Sequence, residues 1–188
     1  KEVAKKAIAI GRKYDTLLEV YFDGQGYAQK DEIAQVRKYH KNPNMWDYFL
    51  RTRIAVDSLE DLLDEKEGNL DKVQMLFADM EEREEAWKEL EREGVFELVG
   101  SLQYNIEINA VGVNKGTGLV NLGKMLGIRR EEIMACGDGD NDIAMLKEVG
   151  FGVAMANAEE KVKAVADYIT ESNNDEGVAK AIEKFVLK

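Results

Sequence analysis

Cysteine, histidine and proline are nearly absent from this sequence, which has one of each in 188 residues. The lone Cys136 cannot form an internal disulfide, and one histidine supplies too little material for a zinc site or a Ser-His-Asp triad. We therefore do not expect thiol or histidine chemistry. Long apolar runs are absent too, since none approaches the roughly 20 residues of a membrane-spanning helix. The expectation is a soluble, cytoplasmic protein without a membrane partner.

Positive charge is scarce as well. The chain has 26 lysine and arginine residues against 37 aspartate and glutamate residues, and its formal net charge is −11. This excess would repel a phosphate backbone, and no segregated basic cluster offsets it, so nucleic acid is not an expected partner. Hydrophobic residues make up 45% of the chain, which is enough for one substantial core or two small ones.

The pattern of apolar residues changes near residue 109. Residues 1–108 mix helices with strands and include an Asp-Gly hairpin in LLEVYFDGQGYA and a helical stretch from Lys30 to Leu70 that Pro43 interrupts. In residues 109–188, short apolar strands alternate with helices, which is typical of a parallel sheet covered by helices on both faces. The sequence therefore predicts an α/β fold in two parts, divided between residues 108 and 109.

The densest group of polar residues lies in MACGDGDNDIAML, residues 134–146, where three aspartates and Asn141 fall within five positions. An apolar strand precedes the group and a helical pattern follows it. This order predicts a loop at the carboxyl end of a parallel strand, where α/β sheets bind ligands. An EF-hand would need glycine at 143 and glutamate at 149, and dinucleotide fingerprints fail at positions 142 and 121. No P-loop is present.

Carboxylates this close together need compensation, because a buried anion is costly unless it is paired or bound to a metal. Oxygen ligands without nearby histidine or cysteine favour Mg²⁺, which commonly binds one or two carboxylates together with water and substrate phosphate. The group therefore predicts a magnesium-phosphate site. Asp140 and Asp142 also suit the N-cap and first turn of the following helix, and for Asp140 we expect that structural role alone.

A lysine precedes this loop by 23 positions. Lys115, in GVNKGTGLVNLGKML, lies directly before a helix, and a loop lysine taken alone is typical of a protein surface. If the strands NIEINA and EIMACG end at the same edge of one sheet, however, Lys115 and Asp138 face one pocket beside a helix N-terminus. A cation opposite Mg²⁺ is what phosphoryl transfer requires. We therefore expect these two side chains to converge.

These motifs carry a family resemblance. NKGTGLVNLGKMLGI and EEIMACGDGDNDIAMLKEVGFGVAMANAEEKVKAVADYITESNNDEGVAKAI resemble the C-terminal part of the haloacid dehalogenase superfamily, specifically Cof-type sugar phosphatases. The resemblance runs from about Glu107 to Lys184. Within it, SNNDEG at residues 172–177 resembles a loop that borders the pocket.

The resemblance implies a role for four residues of the predicted site. It implies that Lys115 holds the nucleophile and the transferring phosphoryl group, and that Asp138 ligates Mg²⁺. It also implies that Asn141 contacts phosphate and that Asp142 supports the metal shell and the lysine. The fold it implies is the C-terminal half of a Rossmann-like core in residues 109–188, preceded by a mixed α/β cap in residues 1–108 that selects the substrate.

The family's nucleophile belongs to a D-x-D motif on the first core strand, before the cap, and a Ser or Thr follows it. Neither is in this sequence, since Asp15 precedes its strand and Asp23 lies in an apparent hairpin turn. The resemblance therefore implies an N-terminal core segment of roughly 80 further residues. Without it we expect an inactive and poorly soluble chain, because the strand EIMACG would lose its neighbour in the sheet.

The leading interpretation is a Mg²⁺-dependent phosphatase that hydrolyses small phosphorylated metabolites, with sugar phosphates as the expected substrates, through an aspartyl-phosphate. The alternative is a non-catalytic phosphate-binding or regulatory protein of the same superfamily that lacks the nucleophile. A third interpretation, a structural α/β scaffold, would leave Lys115 and Asp138 far apart.

Overall fold

Two units divide the chain in the computed structural model, which describes residues 1–187. The first unit is Lys1–Val111 and the second begins at Gly112. Lys188, the last residue of the predicted core segment, lies outside the described residues. None of the helices in residues 1–187 combines the length and the apolar character that a membrane crossing requires.

A six-stranded sheet forms the centre of the first unit. Its strands are β1 (Thr16–Phe22), β2 (Gln25–Gln29), β3 (Ile54–Val56), β4 (Leu70–Phe77), β5 (Phe96–Val99) and β6 (Asn105–Ala110). Their order is β3-β2-β1-β4-β6-β5. The pair β2 and β3 is parallel and the other neighbours are antiparallel. Asp23 and Gly24 both have positive φ in the predicted hairpin, as a two-residue turn between twisted strands requires.

The helices of residues 1–111 are α1 (Glu2–Gly11), α2 (Lys30–Ala34), α3 (Val36–Tyr39), α4 (Trp46–Thr52), α5 (Leu59–Glu65) and α6 (Met80–Glu93). The predicted helical stretch from Lys30 to Leu70 is thus helical only in pieces. Pro43 begins a short 3-10 turn, a position where its missing N–H leaves no hydrogen bond unmade. Residues 54–56 form the strand β3 instead of a helix.

Alternation along β1 divides the core of the first unit between two sides of the sheet. Leu18 and Val20 belong to one buried cluster together with Leu90 of α6. Leu17 belongs to a second cluster, which includes Phe49 of α4. Both faces of β1 are therefore covered, which explains its nearly continuous apolar sequence.

The second unit has a parallel sheet of three short strands. They are β7 (Met134–Gly137), β8 (Phe151–Ala154) and β9 (Tyr168–Ile169), in that order. The helix α7 (Lys115–Met125) precedes these strands, and α8 (Ile143–Glu148), α9 (Glu160–Lys163) and α10 (Gly177–Phe185) lie between and after them. This alternation of parallel strands with helices confirms the predicted α/β class.

The carboxyl ends of the three parallel strands lie side by side. Gly137 pairs with Ala154, and Ala154 pairs with Ile169. The backbone N–H of Met155 donates to the carbonyl of Gly137 at 3.0 Å, and that of Thr170 donates to Ala154 at 2.9 Å. The loops that follow the strands therefore meet at one edge of the sheet, where α/β proteins place ligands.

Two helices of the second unit expose apolar side chains. On α10, Val178, Ile182 and Phe185 follow the i, i+4, i+7 spacing of a single helical face, and all three are exposed. On α7, Leu122 and Met125 are exposed, the methionine by 83%.

Within the described residues, β7 pairs with β8 alone and forms one edge of its sheet.

Candidate active site

The loop after β7 folds back on the strand that precedes it. Asp142 is 6% exposed, and its Oδ2 accepts hydrogen bonds from the backbone N–H groups of Asp138 and Gly139, both at 3.0 Å. A Cβ on Gly137 would lie 2.4 Å from Cβ of Asp142, so only glycine allows the aspartate this close to the strand end. The backbone therefore fixes the Asp142 carboxylate before any ligand binds.

Lys115 reaches the same carboxylate from the start of α7. Its Nζ donates to Oδ1 of Asp142 at 2.6 Å. The helix is capped just before this lysine, because Oδ1 of Asn114 accepts from the backbone N–H of Thr117 at 3.0 Å and Oγ1 of Thr117 accepts from the N–H of Asn114 at 3.2 Å. The cap sets the direction of the first turn and hence the position of Lys115.

The electrostatics of Asp142 follow from these contacts. Burial acts to raise its pKa, but the hydrogen bond from Lys115 and the two backbone donors outweigh burial and hold the pKa below its ordinary value. Asp142 is therefore an ionised acceptor at neutral pH. Since the lysine Nζ and the backbone N–H groups bond to its two oxygens, this carboxylate holds the loop and the lysine together.

Asp138 presents the accessible carboxylate of the loop. Its side chain is exposed, and its Oδ2 accepts a hydrogen bond from the Asn157 amide at 3.0 Å. Asn141 is half-buried in the 3-10 turn Asp140–Asp142, and its Oδ1 lies 2.8 Å from where a Cβ on Gly139 would be. Asp138 and Lys115 are thus joined through Asp142, which bonds to the backbone of one and the ammonium group of the other.

Asp140 has a different environment. Its carboxylate is exposed and accepts a hydrogen bond from Nζ of Lys161 at 2.6 Å, and the same ammonium group lies 3.2 Å from Glu159. Asp140 therefore forms a surface ion pair with Lys161. Its side chain does not cap α8, so the expected N-cap role is wrong.

One premise of the predicted convergence of Lys115 and Asp138 is wrong. The strand NIEINA is β6 and belongs to the sheet of the first unit, so it does not end at the same sheet edge as EIMACG, which contains β7. Lys115 reaches the loop because α7 packs closely on α8. A Cβ on Gly116 would lie 2.8 Å from the carbonyl oxygen of Ala144, so glycine permits this close approach.

The oxygen donors of the loop suit an open magnesium shell. Among residues 1–187, no three or more His, Cys, Asp or Glu side chains gather as a complete metal cage. Mg²⁺ does not need such a cage, because it commonly binds one or two carboxylates and completes its shell with water and substrate phosphate. The exposed Asp138 carboxylate fits one position of such an open shell.

Sequence reasoning missed Asn157 and Lys161. Both lie in AMANAEEK, directly after β8, and they bond to Asp138 and Asp140 respectively. The signal that would have found them is the topology, since β8 is parallel to β7 and its carboxyl end lies at the same edge.

Comparison with known proteins places the chain in a family. The chain belongs to the haloacid dehalogenase-like hydrolases, whose family model matches residues 1–182. It is similar to a 5-amino-6-(5-phospho-D-ribitylamino)uracil phosphatase of Bacillus subtilis, with 50% identity over 105 residues that cover 56% of this chain and 42% of that protein. It is also similar to a phosphoglycolate phosphatase of Methanosarcina mazei, with 45% identity over 87 residues, 46% of this chain and 38% of that protein. The chain thus matches less than half the length of these two curated relatives.

Solved structures agree with this family. A haloacid dehalogenase-like hydrolase from B. subtilis superposes with a TM-score of 0.79 and 26% identity, over 99% of this chain and 70% of that one. A sugar phosphatase of haloacid dehalogenase subclass IIB superposes with a TM-score of 0.73 and 26% identity, over 100% of this chain and 67% of that one. The resemblance inferred from the lysine and aspartate motifs is therefore confirmed at the level of the family.

Proposed function

We propose that this protein is a Mg²⁺-dependent phosphatase of small phosphorylated metabolites, with sugar phosphates as the substrate class, and that it acts in the cytoplasm. The observation that carries the proposal is the hydrogen-bonded group of Lys115, Asp142 and Asp138 at the carboxyl edge of a parallel sheet. Phosphoryl transfer needs negative charge neutralised from more than one side, and this edge offers an ammonium group and an accessible carboxylate that would hold a divalent cation. The relatives that are named as phosphatases support it.

Each residue of the site has a proposed task. Asp138 would hold Mg²⁺ through its exposed carboxylate, and Lys115 would neutralise a phosphoryl oxygen. Asn141 would donate its amide N–H to the phosphate, while Asp142 keeps Lys115 and the loop backbone in place. Bound Mg²⁺ would supply Lewis-acid neutralisation of charge on the phosphoryl group.

The nucleophile is proposed to lie in an N-terminal core segment that carries a D-x-D motif. Two observations support a missing neighbour for the second unit: β7 is an edge strand of its sheet, and α10 exposes the apolar side chains of Val178, Ile182 and Phe185. Within the described residues β7 pairs with β8 alone, so a further strand would fit on its other side. On this proposal the present chain does not turn over substrate by itself, because the aspartate that would form the aspartyl-phosphate lies in that segment.

The first unit is proposed to act as the cap that selects the substrate. Its own six-stranded sheet and its own two buried clusters support a separately organised domain.

The proposal is tested by phosphate release from the protein together with its N-terminal core segment, using a panel of sugar phosphates and p-nitrophenyl phosphate with and without Mg²⁺. We expect Mg²⁺-dependent release that falls by at least about 100-fold in Asp138→Ala. Asp140→Ala is the matched control, since Asp140 lies in the same loop but pairs with a surface lysine, and it should retain activity. Normal Mg²⁺-dependent activity in Asp138→Ala would overturn the metal assignment.

The protein together with its N-terminal core segment also distinguishes the phosphatase from the alternative, non-catalytic function. The D-x-D spacings of this chain, Asp138 to Asp140 and Asp140 to Asp142, lie in the loop after β7 and not on a strand, which favours a phosphate-binding or regulatory relative if the preceding segment lacks that motif too. Sugar phosphate that binds in calorimetry without release of inorganic phosphate would support this alternative.

A further inference from the structure

Asn157 connects two loops of the candidate site through its side chain. Its Nδ2 donates to Oδ2 of Asp138 at 3.0 Å, and its Oδ1 accepts from the backbone N–H of Asn173 at 2.9 Å. Asp138 lies in the loop after β7, whereas Asn173 lies in the loop after β9. One amide therefore contacts loops from the two outer strands of the parallel sheet.

The backbone holds Asn157 in place independently of these two hydrogen bonds. It lies in the turn that follows β8, where the N–H of Ala158 donates to the carbonyl of Met155 at 3.0 Å. The side chain of Ala158 is buried in a cluster with Leu146 and Val162. These neighbours fix the backbone of Asn157 to the central strand and to the apolar core, so its exposed amide is held between the loops on either side.

The loop that contains Asn173 has its own internal bonds. Ser172 accepts at Oγ from the N–H of Asn174 at 3.2 Å, and its carbonyl accepts from the N–H groups of Asp175 and Gly177. These bonds make the loop from Ser172 to Gly177 a compact turn, so a contact at Asn173 acts on the turn as a whole.

The nearby cation does not compete for the Asp138 carboxylate. Lys161 bonds to Asp140 at 2.6 Å and lies 3.2 Å from Glu159, so both of its acidic partners lie elsewhere. Within the described residues, Asn157 is the side chain that bonds to the Asp138 carboxylate. A neutral amide donor fixes one carboxylate oxygen and leaves the charge of the group available to a metal ion.

We propose that Asn157 is a positioning residue that orients the Asp138 carboxylate toward a divalent cation and couples that carboxylate to the loop from Ser172 to Gly177. The inference rests on the proposed function for the presence of the cation. Hydrogen bonds to metal-ligating carboxylates orient them and raise metal affinity, and loss of such a partner typically costs about 10- to 100-fold in affinity. Metal occupancy would then also steady the loop after β9, because both contacts pass through one amide.

The first test measures Mg²⁺ affinity by calorimetry with MgCl₂, using the protein together with its N-terminal core segment. Asn157→Ala should weaken Mg²⁺ binding by about 10- to 100-fold. Activity should recover to within a few-fold at saturating Mg²⁺, because the variant retains Asp138 itself. The matched control is Asn121→Ala, which removes an exposed asparagine from α7 in the same unit and should bind Mg²⁺ like the wild type. Wild-type Mg²⁺ affinity in Asn157→Ala would overturn the inference.

The second test needs no metal. Hydrogen-deuterium exchange of the peptide that covers residues 170–177 should be faster in metal-free Asn157→Ala than in metal-free wild type, because the N–H of Asn173 loses its acceptor. Added Mg²⁺ should slow this exchange in the wild type and not in the variant. Equal exchange in the two metal-free proteins would overturn the coupling. A wild type that binds no Mg²⁺, with faster exchange in the variant, would contradict the proposed function and leave the link between the loops supported.

Discussion

Asp142 bonds to a side chain through one carboxylate oxygen and to the backbone through the other. Asparagine cannot accept hydrogen bonds at both ends, because its amide group is a donor. We expect Asp142→Asn to lower the free energy of unfolding by about 1–3 kcal/mol at pH 7, the usual cost of leaving buried groups unsatisfied. Urea unfolding measures this loss. A variant as stable as the wild type at pH 7 would contradict the role of Asp142 in the loop.

The loss should depend on pH in a defined direction. The pKa of Asp142 is held below its ordinary value in the folded protein, so its stabilisation is complete above the unfolded-state pKa, about 3.9. It is lost as the pH falls through the lower folded-state pKa. The difference in unfolding free energy between wild type and Asp142→Asn should therefore be constant from pH 7 to about 5 and should shrink below about pH 4. A difference that grows in acid would contradict the assigned sign.

Lys115 is the cation of the proposed phosphate site. Replacement by alanine should lower kcat/KM for a sugar phosphate by about 100- to 1000-fold, the usual effect of removing one group that stabilises developing charge. It should also weaken inhibition by inorganic phosphate. Lys124→Ala is the matched control, because Lys124 is exposed in the last turn of the same helix. Equal losses in the two variants would show that the effect is not specific to Lys115.

The individual site residues differ in how far the sequence reveals them. Lys115 and the aspartates lie in dense local motifs, so their spacing and resemblance indicated a common site. Asn157 and Lys161 lie in a segment without any such pattern. Their contacts to Asp138 and Asp140 depend on the parallel register of β7 and β8, which periodicity alone does not supply.

At the scale of elements, the packing of α7 on α8 positions Lys115. A methyl group on Gly116 would meet the backbone carbonyl of Ala144 at 2.8 Å, whereas nothing lies within 4 Å of a methyl group on Gly118. Gly116→Ala should therefore push the two helices apart, lower stability and weaken phosphate binding. Gly118→Ala should stabilise the protein by up to about 1 kcal/mol, since alanine favours a helix interior.

Thermal unfolding and inhibition by inorganic phosphate together check this pair of glycine variants. The two substitutions are chemically identical and lie one helical half-turn apart, so their difference isolates the contact with α8. Opposite signs are the expected result. Equal effects on stability would contradict the close approach of the two helices.

Several elements show where sequence patterns do not predict the structure correctly. The strand β3 has only three residues, and it is defined by parallel pairing with β2, so no alternation of its own indicates it. In residues 109–188, where the sequence predicts strands that alternate with helices, the helix between β8 and β9 is the single turn α9, Glu160–Lys163. The strand β6 was expected to end at the same sheet edge as EIMACG, but it pairs with β4 and β5 in the first unit. Long-range pairing decides the cases of β3 and β6.

At the scale of the whole molecule, the two units have separate apolar cores. Leu90 is fully buried in the first unit, and Leu146 is 2% exposed in the second. Leu→Ala at each position should cost about 2–5 kcal/mol. Calorimetry should show two transitions, with Leu90→Ala lowering one and Leu146→Ala lowering the other. One transition that both variants lower equally would contradict independent cores.

The location of the metal and the phosphate tests the central claim most directly. Crystals of the protein with its N-terminal core segment would be soaked with MnCl₂, as a substitute for MgCl₂, and with inorganic phosphate. The anomalous signal of manganese should lie within coordination distance of the Asp138 carboxylate, and the phosphate should contact Lys115 and Asn141. A manganese peak remote from Asp138, or phosphate remote from Lys115, would contradict the account.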